Sequence, residues 1–113
     1  MKDRLQQLMD RHGTLPGLAA WSARLPDGSI VWHCSRDWFT PKQLESALAR
    51  LELAAADLAS QGIEASTFCW NFERALVYFS MHAEGACLGL FVENRPATSR
   101  VPFDRLLEDF RLL

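Results

Sequence analysis

The sequence lacks an even set of cysteines, an excess of charge of either sign and a long apolar run, and each absence disfavours a class of protein. Its 3 cysteines are an odd count in apolar surroundings, which argues against a disulfide scaffold and fits a reducing cytosol. The net charge of −2 offers no basic field for nucleic acid or an anionic membrane. Apolar runs such as 75–79 are far shorter than the ~20 residues of a membrane span. We therefore expect a soluble, cytoplasmic protein with no nucleic-acid or membrane partner.

Length and apolar content are those of one folded unit. A chain of 113 residues can bury roughly two-thirds of its unfolded surface in a single core. Apolar residues make up 49% of the chain, which argues against disorder. The N-terminal stretch MKDRLQQLMD is charged and amphipathic and does not resemble a signal peptide. These features predict a single domain over residues 1–113.

Three segments carry the apolar spacing of amphipathic helices, namely 3–12, 41–61 and 102–113. The second has the most specific start signal, because Thr40 can cap it, a proline follows, and Gln43 completes a capping box. The apolar stripe of this helix consists of Leu44, Leu48, Leu51, Ala55 and Leu58. A long helix over 41–61 is therefore expected.

The segments 18–24 and 29–35 have the composition of strands, and Pro-Asp-Gly between them is a hairpin-turn sequence. With Asp-Gly as a two-residue turn, Trp21 lies opposite Cys34 across the strand pair. The same register pairs Ala23 with Trp32. It predicts one apolar face for the hairpin.

The stretch FCWNFERALVYFSMHAEGACLGLFVEN, at 68–94, can be interpreted either as a reactive centre or as a sheet. Two-residue turns at 73–74 and 84–85 divide it into a three-stranded meander in which every residue of one face is apolar. That face consists of Phe68, Trp70, Phe72, Ala75, Val77, Phe79, Met81, Leu88, Leu90 and Val92. The opposite face is mixed, and on it Cys87 lies directly opposite His82.

The Cys87–His82 pair is the strongest candidate for catalysis, because opposite residues on a strand pair are within side-chain reach. A nucleophilic cysteine also needs oxyanion donors, often at a helix start, and this hairpin offers none. The candidate zinc ligands match no metal-binding spacing; they are His12, His33, Cys34, Cys69, His82 and Cys87. No glycine-rich turn leads into a helix as a phosphate loop does. We therefore predict a protein without enzymatic activity, metal or cofactor.

Trp38 and Phe39 are large apolar residues in a loop, just before the expected helix cap. Phe39 is positioned to pack on Leu44 as a hydrophobic staple. Trp38 has no such explanation and is a candidate contact residue.

The element order α-β-β-α-β-β-β-α resembles that of the roadblock/LC7 family. LPGLAAWSARLPDGSIVWHC is similar to the first hairpin of that family, and ERALVYFSMHAEGACLGLFVEN is similar to the second. The resemblance implies an α/β (α+β) fold with a central, five-stranded, mostly antiparallel sheet flanked by helices, as in roadblock and profilin domains. It also implies a non-enzymatic homodimeric scaffold or regulatory module, with a small Ras-like GTPase as a candidate partner. The alternative is a small-molecule-binding sensor domain of profilin-like build that uses the mixed sheet face.

The resemblance to the roadblock/LC7 family implies that residues 66–72 form a strand at the sheet edge. This segment contains no proline, lysine or arginine, so its open backbone groups invite pairing with a second copy. We predict a two-fold dimer through this strand and the alanine-rich helix 41–61. The predicted contact residues are Thr67, Phe68, Cys69, Trp70 and Asn71 in the strand, and Ala47, Leu51, Ala54 and Leu58 in the helix.

Overall fold

A five-stranded sheet with helices on both faces is seen in the computed structural model, which describes residues 1–12, 15–63, 65, 67–96 and 98–113. The elements are α1 (Lys2–His12), β1 (Leu18–Arg24), β2 (Ile30–Cys34), α2 (Pro41–Ser60), β3 (Thr67–Asn71), β4 (Ala75–Met81), β5 (Cys87–Glu93) and α3 (Val101–Arg111). The sheet order is β2-β1-β5-β4-β3, and each strand pairing in the described part of the chain is antiparallel. The predicted element order and sheet type are therefore confirmed.

The start of α2 has the predicted capping box. Gln43 N donates to Thr40 Oγ1 at 3.2 Å, and Thr40 N donates to Gln43 Oε1 at 2.9 Å. Phe39 packs against the core cluster that contains Leu44, and its ring centroid lies 5.2 Å from that of Phe91. Phe39 therefore lies in the same apolar cluster as Leu44, as a hydrophobic staple requires, and its ring contact with Phe91 ties the chain before α2 to β5.

The helix α2 covers one face of the sheet and packs chiefly on β1, β5 and β2. Leu44, Leu48 and Ala55 are its buried residues. The helix approaches β5 closely at Gly89, where an added Cβ would lie 3.5 Å from Leu48 Cδ1. Because α2 lies toward the β2 side, the α2-facing side chains of β3 and β4 are left at the margin of the helix layer.

The helices α1 and α3 cover the other face and form the larger core with it. The buried members of this core include Leu5, Leu8, Leu88, Leu90, Phe103, Leu106 and Phe110. His12 Nε2 lies 2.9 Å from Asp109 Oδ2 and links the two helices. No helix within the described ranges is long and apolar enough to cross a membrane.

The two predicted hairpin turns that end in glycine are each one residue too short, because the structure has three-residue loops there. In the first hairpin, Leu25 N donates to Ser29 O at 2.8 Å and Gly28 N donates to Leu25 O at 2.9 Å, so the loop has three residues. Gly28 has a φ of 89°, the left-handed conformation of the last residue of such a loop. As a result, Trp21 lies opposite His33 instead of Cys34, and Ala23 lies opposite Val31 instead of Trp32.

The β4–β5 hairpin contains the same type of loop. His82 N donates to Ala86 O at 2.8 Å, and Gly85, with a φ of 93°, donates from N to His82 O at 2.9 Å. The predicted two-residue turn at 84–85 is therefore wrong, and Cys87 lies opposite Met81. The one-residue shift moves every β5 side chain to the other face. Leu88, Leu90 and Val92 therefore belong to the core under α1 and α3.

The β3–β4 turn is the two-residue turn that the sequence predicts. Phe72 N donates to Ala75 O at 2.9 Å, and Asn71 lies opposite Leu76. The register of β3 against β4 is therefore confirmed. Ser66, the first residue of the predicted edge segment, lies outside the described residues.

Candidate interaction surface

The strand β3 forms one edge of the sheet and pairs only with β4 among the described strands. Hydrogen-bonded and non-hydrogen-bonded pairs alternate along an antiparallel ladder. Because Phe72 bonds to β4 through its backbone N–H, Trp70 and Phe68 also bond inward. The backbone N–H and C=O groups of Thr67, Cys69 and Asn71 therefore point away from the sheet. With respect to the residues that the structure describes, they form a row of open donors and acceptors along the edge.

The α2-facing side of β3 is aromatic. The rings of Phe68 and Trp70 stack with centroids 5.5 Å apart, and both lie within 6.5 Å of the Phe79 ring on β4. Phe72, just after the strand, is 53% exposed, and Met81 at the end of β4 is 39% exposed. A partly uncovered apolar surface therefore runs along the edge of the sheet.

The flank of α2 nearest to this edge consists of small and aliphatic side chains. The predicted contact residues Ala47, Leu51, Ala54 and Leu58 are all half-buried, between the core stripe and the solvent face of the helix. Leu51 packs in the same clusters as Trp70. The structure thus brings together the helical and aromatic parts of the predicted surface at Leu51 and Trp70, and Ala54 and Leu58 continue the flank.

The other three predicted strand residues lie on the opposite face. Thr67, Cys69 and Asn71 are exposed, and Asn71 Oδ1 accepts a hydrogen bond from Asn94 Nδ2 at 2.9 Å. Their side chains therefore do not contribute to the aromatic surface. Their outward backbone groups are what they offer to a second copy.

A groove of about 850 Å³ lies between α2 and the β3–β4 turn, and the sequence did not predict it. Its apolar lining consists of Trp38, Phe39, Ala47, Leu51, Phe72, Ala75, Val77 and Phe91. Three arginines also line it, namely Arg50, Arg74 and Arg95. We call this feature the arginine-rimmed groove. The loop tryptophan at position 38, 47% exposed, was the one sequence signal that pointed to it.

A buried carboxylate lies at one end of the arginine-rimmed groove. Glu93 is 3% exposed, and its two oxygens lie 3.3 Å from Arg36 Nε and 2.9 Å from Arg95 Nε. A buried carboxylate needs such partners, because an unpaired buried charge is costly. Two guanidinium groups share one carboxylate here, so this end of the groove keeps an excess of positive charge.

The proposed Cys87–His82 pair does not exist. Cys87 faces α2, and burial raises the pKa of its thiol to about 12, which makes it a poor nucleophile at neutral pH. His82 has other partners: its Nδ1 accepts from Glu84 N at 3.0 Å, and its Nε2 lies 2.6 Å from Leu113 O. In the described part of the chain, no three His, Cys, Asp or Glu side chains are placed to hold a metal ion.

The mixed face of β4 is covered by the α1–α3 layer. Tyr78 stacks on Phe103 with ring centroids 5.8 Å apart, and the His82 ring meets the Phe110 ring edge-on at 5.8 Å. Tyr78 and Ser80 are buried. A ligand site on the mixed face would therefore need α3 to move away.

No protein-family model and no curated protein sequence matches this chain. Solved structures do match. A gliding protein, mglB from Thermus thermophilus, has 14% identity and a TM-score of 0.74, with 97% of this chain and 87% of that chain covered. A structure described as MglB with tetrameric arrangement has 17% identity and a TM-score of 0.68 over the same shares. A roadblock/LC7 domain from Streptomyces avermitilis has 17% identity and a TM-score of 0.54, with 99% of this chain and 95% of that chain covered.

These likenesses extend over nearly the whole chain, and at such low identity they define the fold alone. The chain has the roadblock/LC7 fold, as the sequence resemblance predicted.

Proposed function

We propose that the protein is a non-enzymatic regulatory module of one domain, that it forms a homodimer, and that it binds a small Ras-like GTPase. The observation that carries the proposal is the edge strand β3, whose outward backbone groups lie beside an aromatic surface and the half-buried flank of α2. An open, uncharged edge of this kind normally needs a covering partner. A second copy of the same strand can supply one by antiparallel pairing.

Symmetry restricts how two β3 strands can pair. A two-fold axis perpendicular to the sheet places one residue opposite its own copy. Because β3 has 5 residues, full overlap puts the central residue, Cys69, opposite the Cys69 of the second copy. Phe68 then lies opposite the second copy's Trp70. The aromatic surface therefore continues across the line where the two β3 strands meet, which we call the dimer seam. The outward groups of Thr67 meet those of the second copy's Asn71 in this register.

Self-association is further supported by a structural neighbour whose description names a tetrameric arrangement. The GTPase partner is supported by the resemblance to the roadblock/LC7 family. The small-molecule alternative has less support, because α3 covers the mixed face on which it relies.

Light scattering at tens of micromolar tests the dimer, and twice the monomer mass is expected. A short bis-maleimide should then cross-link two copies through Cys69, since opposite Cα atoms of a hydrogen-bonded pair lie ~5.5 Å apart. The matched control is Cys69→Ser, which should not cross-link, because Cys87 is buried and the half-buried Cys34 lies on β2, at the opposite edge of the sheet from β3. A monomer in light scattering ends the dimer proposal. A dimer that does not cross-link at Cys69 contradicts only the register.

Calorimetric titration tests the GTPase partner. Small Ras-like GTPases encoded in the same genome would be purified, loaded with GDP or with a non-hydrolysable GTP analogue, and titrated into the dimer. We expect saturable binding of at least one of them, and a difference between its two nucleotide states. No binding by any of them, with the dimer intact, would contradict this part of the proposal alone.

A further inference from the structure

The arginine-rimmed groove combines an apolar floor with a basic rim. Val77 on β4 and Phe91 on β5 lie in its floor, and Trp38 and Phe72 lie at its two sides. Its volume of about 850 Å³ is within the range of sites that hold a ligand or several side chains of a partner.

The charges around the groove favour an anion. Arg50 comes from α2, Arg74 from the β3–β4 turn and Arg95 from the segment after β5, so three separate elements each contribute an arginine to the lining of one groove. Within the described ranges, neither Arg50 nor Arg74 has an ion pair. Glu93 is already shared by two arginines, and Glu73 is the other carboxylate in the lining. The groove is therefore locally basic in a chain of net charge −2.

We propose that the arginine-rimmed groove binds an acidic segment of a protein partner, in which carboxylates flank one large aromatic or aliphatic side chain. The apolar side chain enters the floor between Trp38 and Phe72, and the carboxylates pair with Arg50 and Arg74. Guanidinium binds carboxylate through two parallel hydrogen bonds. A buried apolar anchor with a polar rim is the usual arrangement of a binding hot spot. The inference rests on the proposed function only in assigning a protein as the partner.

Two other occupants fit the groove less well. A second copy paired along β3 would cover the Phe72 side and the flank of α2 at Ala47 and Leu51, which line both the groove and the proposed dimer contact. The floor at Val77 and Phe91 lies one and two strands further in, at ~5 Å per strand. A nucleotide would need phosphate donors from a helix start or a glycine-rich loop. At the nearby start of α2, the backbone N–H groups of Thr40 and Gln43 are already used in the capping box.

A peptide selection tests the proposal. A display library of random peptides of about twelve residues would be selected on the intact protein, and the best peptides measured by fluorescence anisotropy. We expect enrichment of Asp or Glu around an aromatic or leucine residue. The double variant Arg50→Gln/Arg74→Gln should bind these peptides roughly tenfold more weakly or worse. The control Arg105→Gln, an exposed arginine on α3, should bind them as the wild type does. The Trp38 indole NMR signal should shift on binding.

The inference is overturned if the selection enriches no acidic residues or no peptides, or if the Arg50 and Arg74 substitutions leave binding unchanged. Loss of the dimer in that double variant would assign the groove to a second copy. Displacement of the peptide by inorganic phosphate or ATP at similar concentrations would assign it to a phosphate ligand. Failure of the dimer proposal is recognised separately, because a monomer in light scattering that still binds acidic peptides contradicts the dimer and leaves the groove assignment intact.

Discussion

Cys87 lies directly opposite Met81 on the β4–β5 ladder, and its thiol is buried beneath α2. Leu48 and Phe79 belong to the same core cluster. The residue is 3% exposed, and desolvation is the main reason that the pKa of its thiol rises to about 12. The cysteine that the sequence offered as a candidate nucleophile is therefore part of the packing between helix and sheet.

The raised pKa of Cys87 predicts a loss of stability in alkali. The folded protein keeps a proton that the unfolded chain releases above its ordinary pKa of 9.0. The contribution is therefore complete below pH 9 and declines toward pH 12, by up to ~1.4 kcal/mol per pH unit. Urea unfolding at neutral pH and at about pH 10.5 measures it. The variant Cys87→Ala should lose less stability over this interval, and an equal loss would contradict the prediction.

Two leucines of α2, one turn apart, should separate folding from assembly. Leu48 is fully buried, so Leu48→Ala should lower the free energy of unfolding by about 2–5 kcal/mol. Leu51 is half-buried on the flank that faces the proposed seam. We therefore expect Leu51→Ala to lower the free energy of unfolding less and to raise the dimer dissociation constant more. Chemical unfolding and sedimentation equilibrium measure the two effects, and equal effects of both variants would show that the seam does not involve this flank.

The left-handed glycine of the β4–β5 loop should be costly to replace. Gly85 has a φ of 93°, and no atom lies within 4 Å of an added Cβ, so Gly85→Ala tests backbone conformation alone. We expect a loss of about 1–2 kcal/mol in the free energy of unfolding. Gly85→Asn is the control and should lose less, because asparagine tolerates this conformation better. Wild-type stability for Gly85→Ala would argue against the three-residue loop.

A proline at the sheet edge should weaken the dimer more than the fold. Asn71→Pro removes an outward N–H, which is not used in the ladder with β4. It also removes the side-chain contact with Asn94, so Asn71→Ala is the matched control that keeps the N–H. Sedimentation equilibrium should show a larger dissociation constant for the proline variant than for the alanine variant. Similar dissociation constants for the two would mean that this donor is not part of the seam.

Much of the architecture could be predicted from local signals. The capping box at Thr40 and Gln43 and the stripe that follows placed α2 almost to the residue. The β3–β4 turn was placed correctly, because a shift by one residue would bring polar residues such as Asn71 and Ser80 onto the apolar face. The strand at the sheet edge came from resemblance, and the structure confirms it as β3.

The registers of the two glycine-ended hairpins could not be predicted in this way. Asp-Gly and Glu-Gly fit a two-residue turn and also the last two positions of a three-residue loop, since both place glycine at positive φ. The alternation of apolar and polar residues could not distinguish the two loop lengths for β5, because every residue from Cys87 to Glu93 is buried. A strand covered on both faces has apolar residues on both, so a one-residue shift leaves its sequence pattern almost unchanged.

The amino-acid sequence by itself determined the elements, their order and the stripe by which each helix packs, because propensity, capping and apolar spacing act over a few neighbouring residues. Only the tertiary structure decided which face of β5 meets α2, and so whether Cys87 could reach His82. It also decided that Arg50, Arg74 and Arg95 line one groove. These side chains come from separate segments, and strand pairing and helix packing decide which of them meet. A local sequence pattern contains no information about such contacts.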